Sequence, residues 1–321
     1  MSSPAAHSLE EVADGIFAYL HPTGGWGWSN AGLVVGGRDS AMIDTLYDQP
    51  LTQGFLDVLA PLTAHSPIST LVNTHANGDH CYGNGLVALP GVEVISSVAS
   101  AKEMDELPPS AMAGLLSVAD QLGPELGDYL HRAFGSFEFL GNELSPPTST
   151  FSGFRSIDID GRVVELHELG PAHTTGDTVA FVPDASVLFA GDLLFIQGTP
   201  IVWAGPISNW LSACAWMCAL QPKVIVPGHG PLTDLDGVRA VARYLSAVED
   251  GVIARHGAGM TRIKATVDLD LSFDQTEFSE WGDRERLAIN VATVWATLEP
   301  TAAQPPVPSL FGELASLASR Y

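Results

Sequence analysis

Apolar residues recur over the first 47 positions in short runs. IFAYL, AGLVVG and SAMIDT are separated by clusters of Gly, Asn and Asp, a pattern that predicts strands joined by turns. The rhythm changes over residues 50–63, PLTQGFLDVLAPLT, where apolar positions fall at helical spacing and Pro marks both ends. STLVN then reads as a buried strand and GVEVISS as another. Residues 98–135 have a helical period broken at Pro108, Pro109 and Gly123, which predicts two or three short helices between strand-rich halves. Strands resume with RSIDID, RVVELHEL, TVAFVP and SVLFAGD, with DGR and PDAS as turns. SNWLSACAWMCAL predicts a helix, KVIVPGH a strand, and TDLDGVRAVARYLSAVEDGVIARH a long helix. A last helix is expected near residues 281–298, followed by an irregular Pro-rich tail.

This order implies a layered α/β domain with helices packed outside sheets. Residues 1–321 read as one domain. Residues 98–135 read as a lid or wall within it, because composition does not shift at their edges as it would at a linker. Residues 233–321 read as a mostly helical C-terminal extension.

Composition sharpens the class. Hydrophobic residues make up 46% of the chain and charged residues 16%. The charged share lies below the usual quarter or so, so much of the chain is expected to be buried. A core of that size needs no disulfide support. The three cysteines, Cys81, Cys214 and Cys218, are odd in number and widely spaced, which suits a reducing cytoplasm. The net charge of −23 comes from 14 basic and 37 acidic residues. Nucleic-acid binding needs clustered Lys and Arg, which this chain lacks, and an anionic membrane surface is disfavoured for the same reason. The stretch MSSPAAHSLEEVADG has neither the basic nor the apolar region of a signal peptide. No apolar run is long enough to span a bilayer. A cytoplasmic protein acting on a small-molecule substrate is expected.

The stretch THANGDHCYGN, residues 74–84, carries the candidate chemistry. His75, Asp79 and His80 follow a predicted strand, and imidazole and carboxylate donors suit zinc, iron or manganese. The adjacent Asp79 and His80 reach one ion only from a bent loop, which Gly78 and Gly83 allow. Three more strand ends carry similar donors: His173 in GPAHTTGD, Asp192 in SVLFAGD and His229 in KVIVPGHGP. Open α/β folds build their sites at such strand ends.

The ordered set THANGDH, His173, the AGD that ends at Asp192, and PGHG around His229 resembles the metallo-β-lactamase superfamily of hydrolases. The resemblance spans roughly residues 15–232. It implies an αββα sandwich with a metal site on one edge. It also implies that His75 and His173 bind a first metal, that Asp79, His80 and His229 bind a second, and that Asp192 bridges them. Asp44 matches an early strand-end aspartate that is structural. A metal-bound hydroxide is the implied nucleophile, since a bound cation lowers the pKa of water to about 7, and Asp79 is placed to orient that water or shuttle its proton. Zinc is the expected metal, one or two ions per chain, with iron or manganese as alternatives.

One position departs from the pattern His-x-His-x-Asp-His: the middle histidine is Asn77. An amide oxygen is a weak, neutral ligand. Either the first site is left empty or thinly occupied, or Asn77 binds weakly there. The expected activity is attack on an ester, thioester, lactone or amide carbonyl of a fairly apolar substrate. Lyase, cyclase or decarboxylase chemistry, iron-dependent oxygen chemistry and a non-catalytic binding protein are the alternatives. Cys81 reads as a buried thiol, and Cys214 and Cys218 as helix packing. His7, His21, His65, His131, His167 and His256 read as core or surface residues. Trp26, Trp28 and Trp203 are candidates for the pocket wall.

Overall fold

The computed structural model describes residues 7–303 and 305–321. Residues 1–6, on which part of the leader reading rests, and Gln304 lie outside them.

Two sheets face each other. The first contains β1 (Ser8–Ala13), β2 (Ile16–Leu20), β3 (Ala31–Val35), β4 (Ser40–Ile43), β5 (Ile68–Val72), β6 (Glu93–Ser97) and β7 (Ser149–Phe151), ordered as in the chain. Pairing is antiparallel from β1 to β4 and parallel from β4 to β7. The second contains β8 (Phe154–Ile159), β9 (Arg162–Glu168), β10 (Thr178–Val182), β11 (Val187–Phe195) and β12 (Val224–His229). Its order is β12-β11-β10-β9-β8, and only β11 and β12 pair in parallel.

The period of two along each strand divides the apolar side chains between layers. In β4, Ala41 and Ile43 enter the core between the sheets while Met42 faces outward. In β11, Val187 and Phe189 face that core while Leu188 and Ala190 face the helices, so the whole strand reads as continuously apolar. The sheets approach closely at Gly32, where a Cβ would overlap the Phe189 ring.

Helices close both outer faces. On the first sheet, α1 (Gln49–Thr63) starts at Asp48, whose Oδ1 accepts the Leu51 N–H at 2.8 Å. Its Phe55 and Leu59 bury against Leu33, Met42 and Leu71. Two single-turn helices, α2 (Gly78–Cys81) and α3 (Asn84–Val87), follow β5. Between β6 and β7 lie α4 (Val98–Met104), α5 (Pro109–Ser117) and α6 (Pro124–Phe134). Outside the second sheet are α7 (Ile207–Leu220), α8 (Leu235–Gly257), α9 (Arg262–Phe273), α10 (Leu287–Leu298) and α11 (Val307–Ala318). The result is the expected αββα sandwich. Among the described residues, no helix is long and apolar enough to cross a membrane.

Four expectations change. The helical segment 98–135 joins two neighbouring strands of one sheet, so it is a crossover rather than an insertion between two halves. Its Met104, Met112, Leu130 and Phe134 pack on Tyr47, Ala76, Cys81 and Tyr82, backing the loop that carries the candidate ligands. The strand β1 and the helix α9 were not anticipated; both are too polar for a clear apolar period. The helix expected over 281–298 begins only at Leu287, after a 3-10 turn at Arg284–Arg286. The tail is not irregular: α11 begins after Pro306, with Pro308 in its first turn, where a missing N–H is tolerated. Leu310, Leu314 and Leu317 bury one face of it.

Candidate metal centre

The site is built from the turns after β4 and β5 and from the loop between β9 and β10 that carries His173. Asp192 lies inside β11, three residues before its end at Phe195, and His229 ends β12. Asp44, just past β4, adopts φ +61° and turns its carboxylate toward the end of β5. That carboxylate accepts the Thr74 N–H and hydroxyl, each at 2.7 Å, and lies 2.9 Å from His80 Nδ1. Asn73 and Asn84 clamp the turn: Asn73 donates to the His80 carbonyl at 2.9 Å, and Asn84 donates back to Asn73 at 2.8 Å. The chain between them is thereby wound into α2, the bend that brings the adjacent Asp79 and His80 toward one centre.

The outer nitrogen of each histidine is committed. His80 Nδ1 donates to Asp44, His173 Nδ1 to the Ile201 carbonyl at 2.6 Å, and His229 Nδ1 to the Gly24 carbonyl at 3.1 Å. The Thr74 hydroxyl is spent on Asp44, so His75 Nδ1 donates to the threonine oxygen at 3.0 Å. With Nδ1 protonated, the neutral ring presents an Nε2 lone pair.

All four Nε2 atoms point at Asp192. His80 lies 3.0 Å from Oδ1; His173 and His229 lie 3.3 Å and His75 3.6 Å from Oδ2. His229 Nε2 is also 3.3 Å from Asp79 Oδ2. The ligand atoms of His75, His80 and Asp192, and those of Asp79, His80 and His229, lie within 4.8 Å of one another. His75 Nε2, His80 Nε2 and Asp192 Oδ1 are buried without a hydrogen bond. Four inward-facing imidazole nitrogens converging on buried carboxylates fit a cation, and the carbonyl, carboxylate or threonine hydroxyl behind each ring is the support that metal-bound imidazoles need.

The charge is uneven. Burial opposes the charged form of His80 and His229, yet nearby carboxylates overcome it. Asp192 and Asp44 raise His80 well above its ordinary range, and Asp192 and Asp79 push His229 up to about 9. Burial prevails at His75 and His173, whose pKa values fall. Burial also disfavours the Asp192 carboxylate, but the imidazoles of His229, His80 and His75 hold it well below its usual range.

Asn77 lies on the side of His75 and His173. Its Nδ2 is 2.9 Å from His173 Nε2. Because His173 Nδ1 is the donor to Ile201, Nε2 is the acceptor, and Asn77 donates an amide N–H to it. The asparagine therefore covers the lone pair that faces the centre.

A family model of the metallo-beta-lactamase superfamily matches residues 24–229. The chain belongs to that superfamily. The match holds all six donors and Asn77 but ends before α8. A metallo-beta-lactamase type 2 of Bacteroides fragilis is 24% identical over 232 residues, covering 70% of this chain and 79% of that protein. The 2,4-dinitroanisole O-demethylase subunit alpha of Nocardioides sp. (strain JS1661) is 32% identical over 165 residues, covering 46% of this chain and about half, 47%, of that protein. The solved metallo-beta-lactamase from Pontibacter korlensis superposes with a TM-score of 0.56 at 18% identity, covering 75% of this chain and 99% of that one. Superfamily membership makes this a metal-dependent hydrolase in the general sense.

The six donors singled out in the sequence come together, with Asp44 directly behind them. Cys81 Sγ turns away to the Ala76 carbonyl at 3.4 Å. His131 and His256 pair with Asp120 and Glu299 away from the centre. Trp203 approaches through its backbone, donating to the His173 carbonyl at 3.1 Å, while Trp26 and Trp28 line a cavity of about 600 Å³ with Tyr129, Trp281 and Tyr321. Sequence reasoning missed Thr74, the Asn73–Asn84 clamp and Phe195, whose ring stacks on His229 at 4.8 Å. The two asparagines flank the metal motif and were its one available signal; Phe195 reads only as strand core.

Proposed function

We propose that the chain is a hydrolase working with one tightly held metal, acting on a carbonyl of an ester, thioester, lactone or amide. The observation that carries this reading is the asymmetry of the six-donor cluster, in which Asn77 engages the inward nitrogen of His173. In this reading Asp79, His80, His229 and Asp192 hold the metal, and His75 stands at its edge. A divalent cation there supplies Lewis-acid activation and a water of lowered pKa. Donors of imidazole and carboxylate favour zinc. The Asp79 side chain is 12% exposed, against 4% or less for the other five donors. It is the donor best placed to orient a water from the open side and accept its proton. Trp26, Trp28 and Trp281 share their cavity with Arg132, Glu280, Asp283 and Arg284, and none of the six donors lines it, so a small, fairly apolar substrate is supported by the sequence alone. The unpaired thiols Cys81, Cys214 and Cys218 support a reducing compartment.

A second reading is hydrolytic cleavage of an aryl alkyl ether. The similarity to the O-demethylase subunit favours it. One panel tests both: chromogenic esters, thioesters, lactones, β-lactams and nitroanisoles, with metal-loaded and chelator-stripped protein. Metal-dependent release of an acid supports the first reading, and release of a phenol with its alcohol supports the second. No turnover of any member by metal-loaded protein overturns both. Iron in the purified protein together with oxygen uptake would indicate oxygen chemistry instead.

A further inference from the structure

Arg286 lies outside the family match, in the turn before α10, and only 1% of it is exposed. A buried guanidinium is costly unless its charge is engaged. Two of its bonds are conventional: Nη2 to Asp283 at 3.0 Å and Nη1 to the Thr199 carbonyl at 3.2 Å. Its faces meet two rings, Trp26 at 4.6 Å and Phe195 at 5.4 Å. Both rings lead to His229. Phe195 stacks on the imidazole with the planes only 3° apart. Trp26 is two residues from Gly24, whose carbonyl takes the His229 Nδ1 proton. The neighbouring Glu285 fixes the indole from its edge, accepting Trp26 Nε1 at 3.1 Å.

We propose that Arg286 is a positioning residue for the metal centre: the C-terminal extension uses its guanidinium to clamp Phe195 and the 24–26 loop, and so fixes the His229 imidazole. The proposal rests on His229 belonging to the tight site. The extension holds the strap behind the other half mainly through a different residue, beyond the single Arg286 bond to Thr199. Asn290, fully buried, accepts the Val202 N–H and donates to the Pro200 carbonyl, each at 2.8 Å, on the strap whose Ile201 carbonyl holds His173. Arg286 and Asn290 are neighbouring buried anchors that both reach the 199–202 strap, Arg286 at the Thr199 carbonyl, but only Arg286 lies against Phe195 and Trp26, so Asn290 is the control for loss of the strap alone.

The test uses the full chain. Zinc affinity is measured by competition with a chromophoric chelator, the cobalt-substituted protein is examined by visible absorption, and melting is followed in parallel. Arg286→Met is expected to weaken the tight metal by about tenfold or more and to alter the cobalt spectrum, as loss of support behind a ligand does. Arg286→Lys keeps a cation over the rings and falls between Met and wild type. Asn290→Ala lowers the melting temperature but leaves the tight affinity within about twofold. A folded Arg286→Met protein with wild-type affinity and spectrum overturns the proposal, as does an equal loss of affinity in Asn290→Ala. If Arg286→Met does not fold, Trp26→Leu decides: weakened zinc supports the clamp, and unchanged zinc overturns it. Wild-type protein that binds no zinc would count against the function proposed above, a failure visible before any variant is made.

Discussion

The two halves of the metal centre share Asp192 and differ in nearly everything else. One half, with His80 and His229, has Asp44 and Asp79 beside it and histidines whose charged forms are favoured. The other, with His75 and His173, has no carboxylate of its own, and Asn77 stands where a third imidazole is expected. Support from behind is even: each half has one outer nitrogen on a side chain, Asp44 or Thr74, and one on a backbone carbonyl, Gly24 or Ile201. The difference lies in inward-facing charge, and a cation responds to that. In the proposed reading, the residue at position 77 makes one half of the centre strong and the other weak.

The largest effect is expected where the halves meet. Asp192→Asn removes the charge that all four rings face, and a buried charge stripped of its partner costs about 3–5 kcal/mol, at least about 100-fold in affinity. Competition with a chelator should show no tight metal remaining. Next, His229→Ala and His173→Ala separate the halves. The first is expected to lose the tight metal, and the second to change its affinity by less than about threefold, since Asn77 already engages that ring. Equal losses would remove the distinction. Melting curves provide a second view: excess zinc at about 100 times its dissociation constant stabilises a folded protein by about 2.7 kcal/mol. That shift should survive in His173→Ala and vanish in His229→Ala. A smaller change is expected from Asp44→Asn, which weakens the support behind His80 and should cost about 10- to 100-fold in metal affinity while the ligands stay in place.

Much of this was legible in the sequence because the donors sit at or near strand ends. An apolar strand that runs into Gly and a metal-competent residue brings that residue near one end of the sheet: His229 closes β12, while β11 continues three residues past Asp192 to Phe195, beyond the end the sequence predicts. The bend carrying Asp79 and His80 was legible from its glycines. What holds these donors in orientation was not, because Thr74, Asn73 and Phe195 are ordinary residues until the fold brings partners to them. The role of Asn77 shows the same limit. Sequence left open whether its amide oxygen binds a metal; the bond from His173 Nδ1 to Ile201, 28 residues away, is what makes Asn77 a donor to the ring. The helix α11 was hidden by its prolines, which mark a helix start as readily as an irregular tail.

The central claim is that Asn77 makes the centre mononuclear, and metal content per chain tests it most directly. Wild type and Asn77→His are dialysed against a weak chelator and their zinc is measured by elemental analysis. One tightly held metal per chain is expected in wild type, rising toward two in Asn77→His as the imidazole replaces the amide and frees His173. Two tightly held metals in wild type would contradict the account, because Asn77 would then be a competent ligand or a bystander.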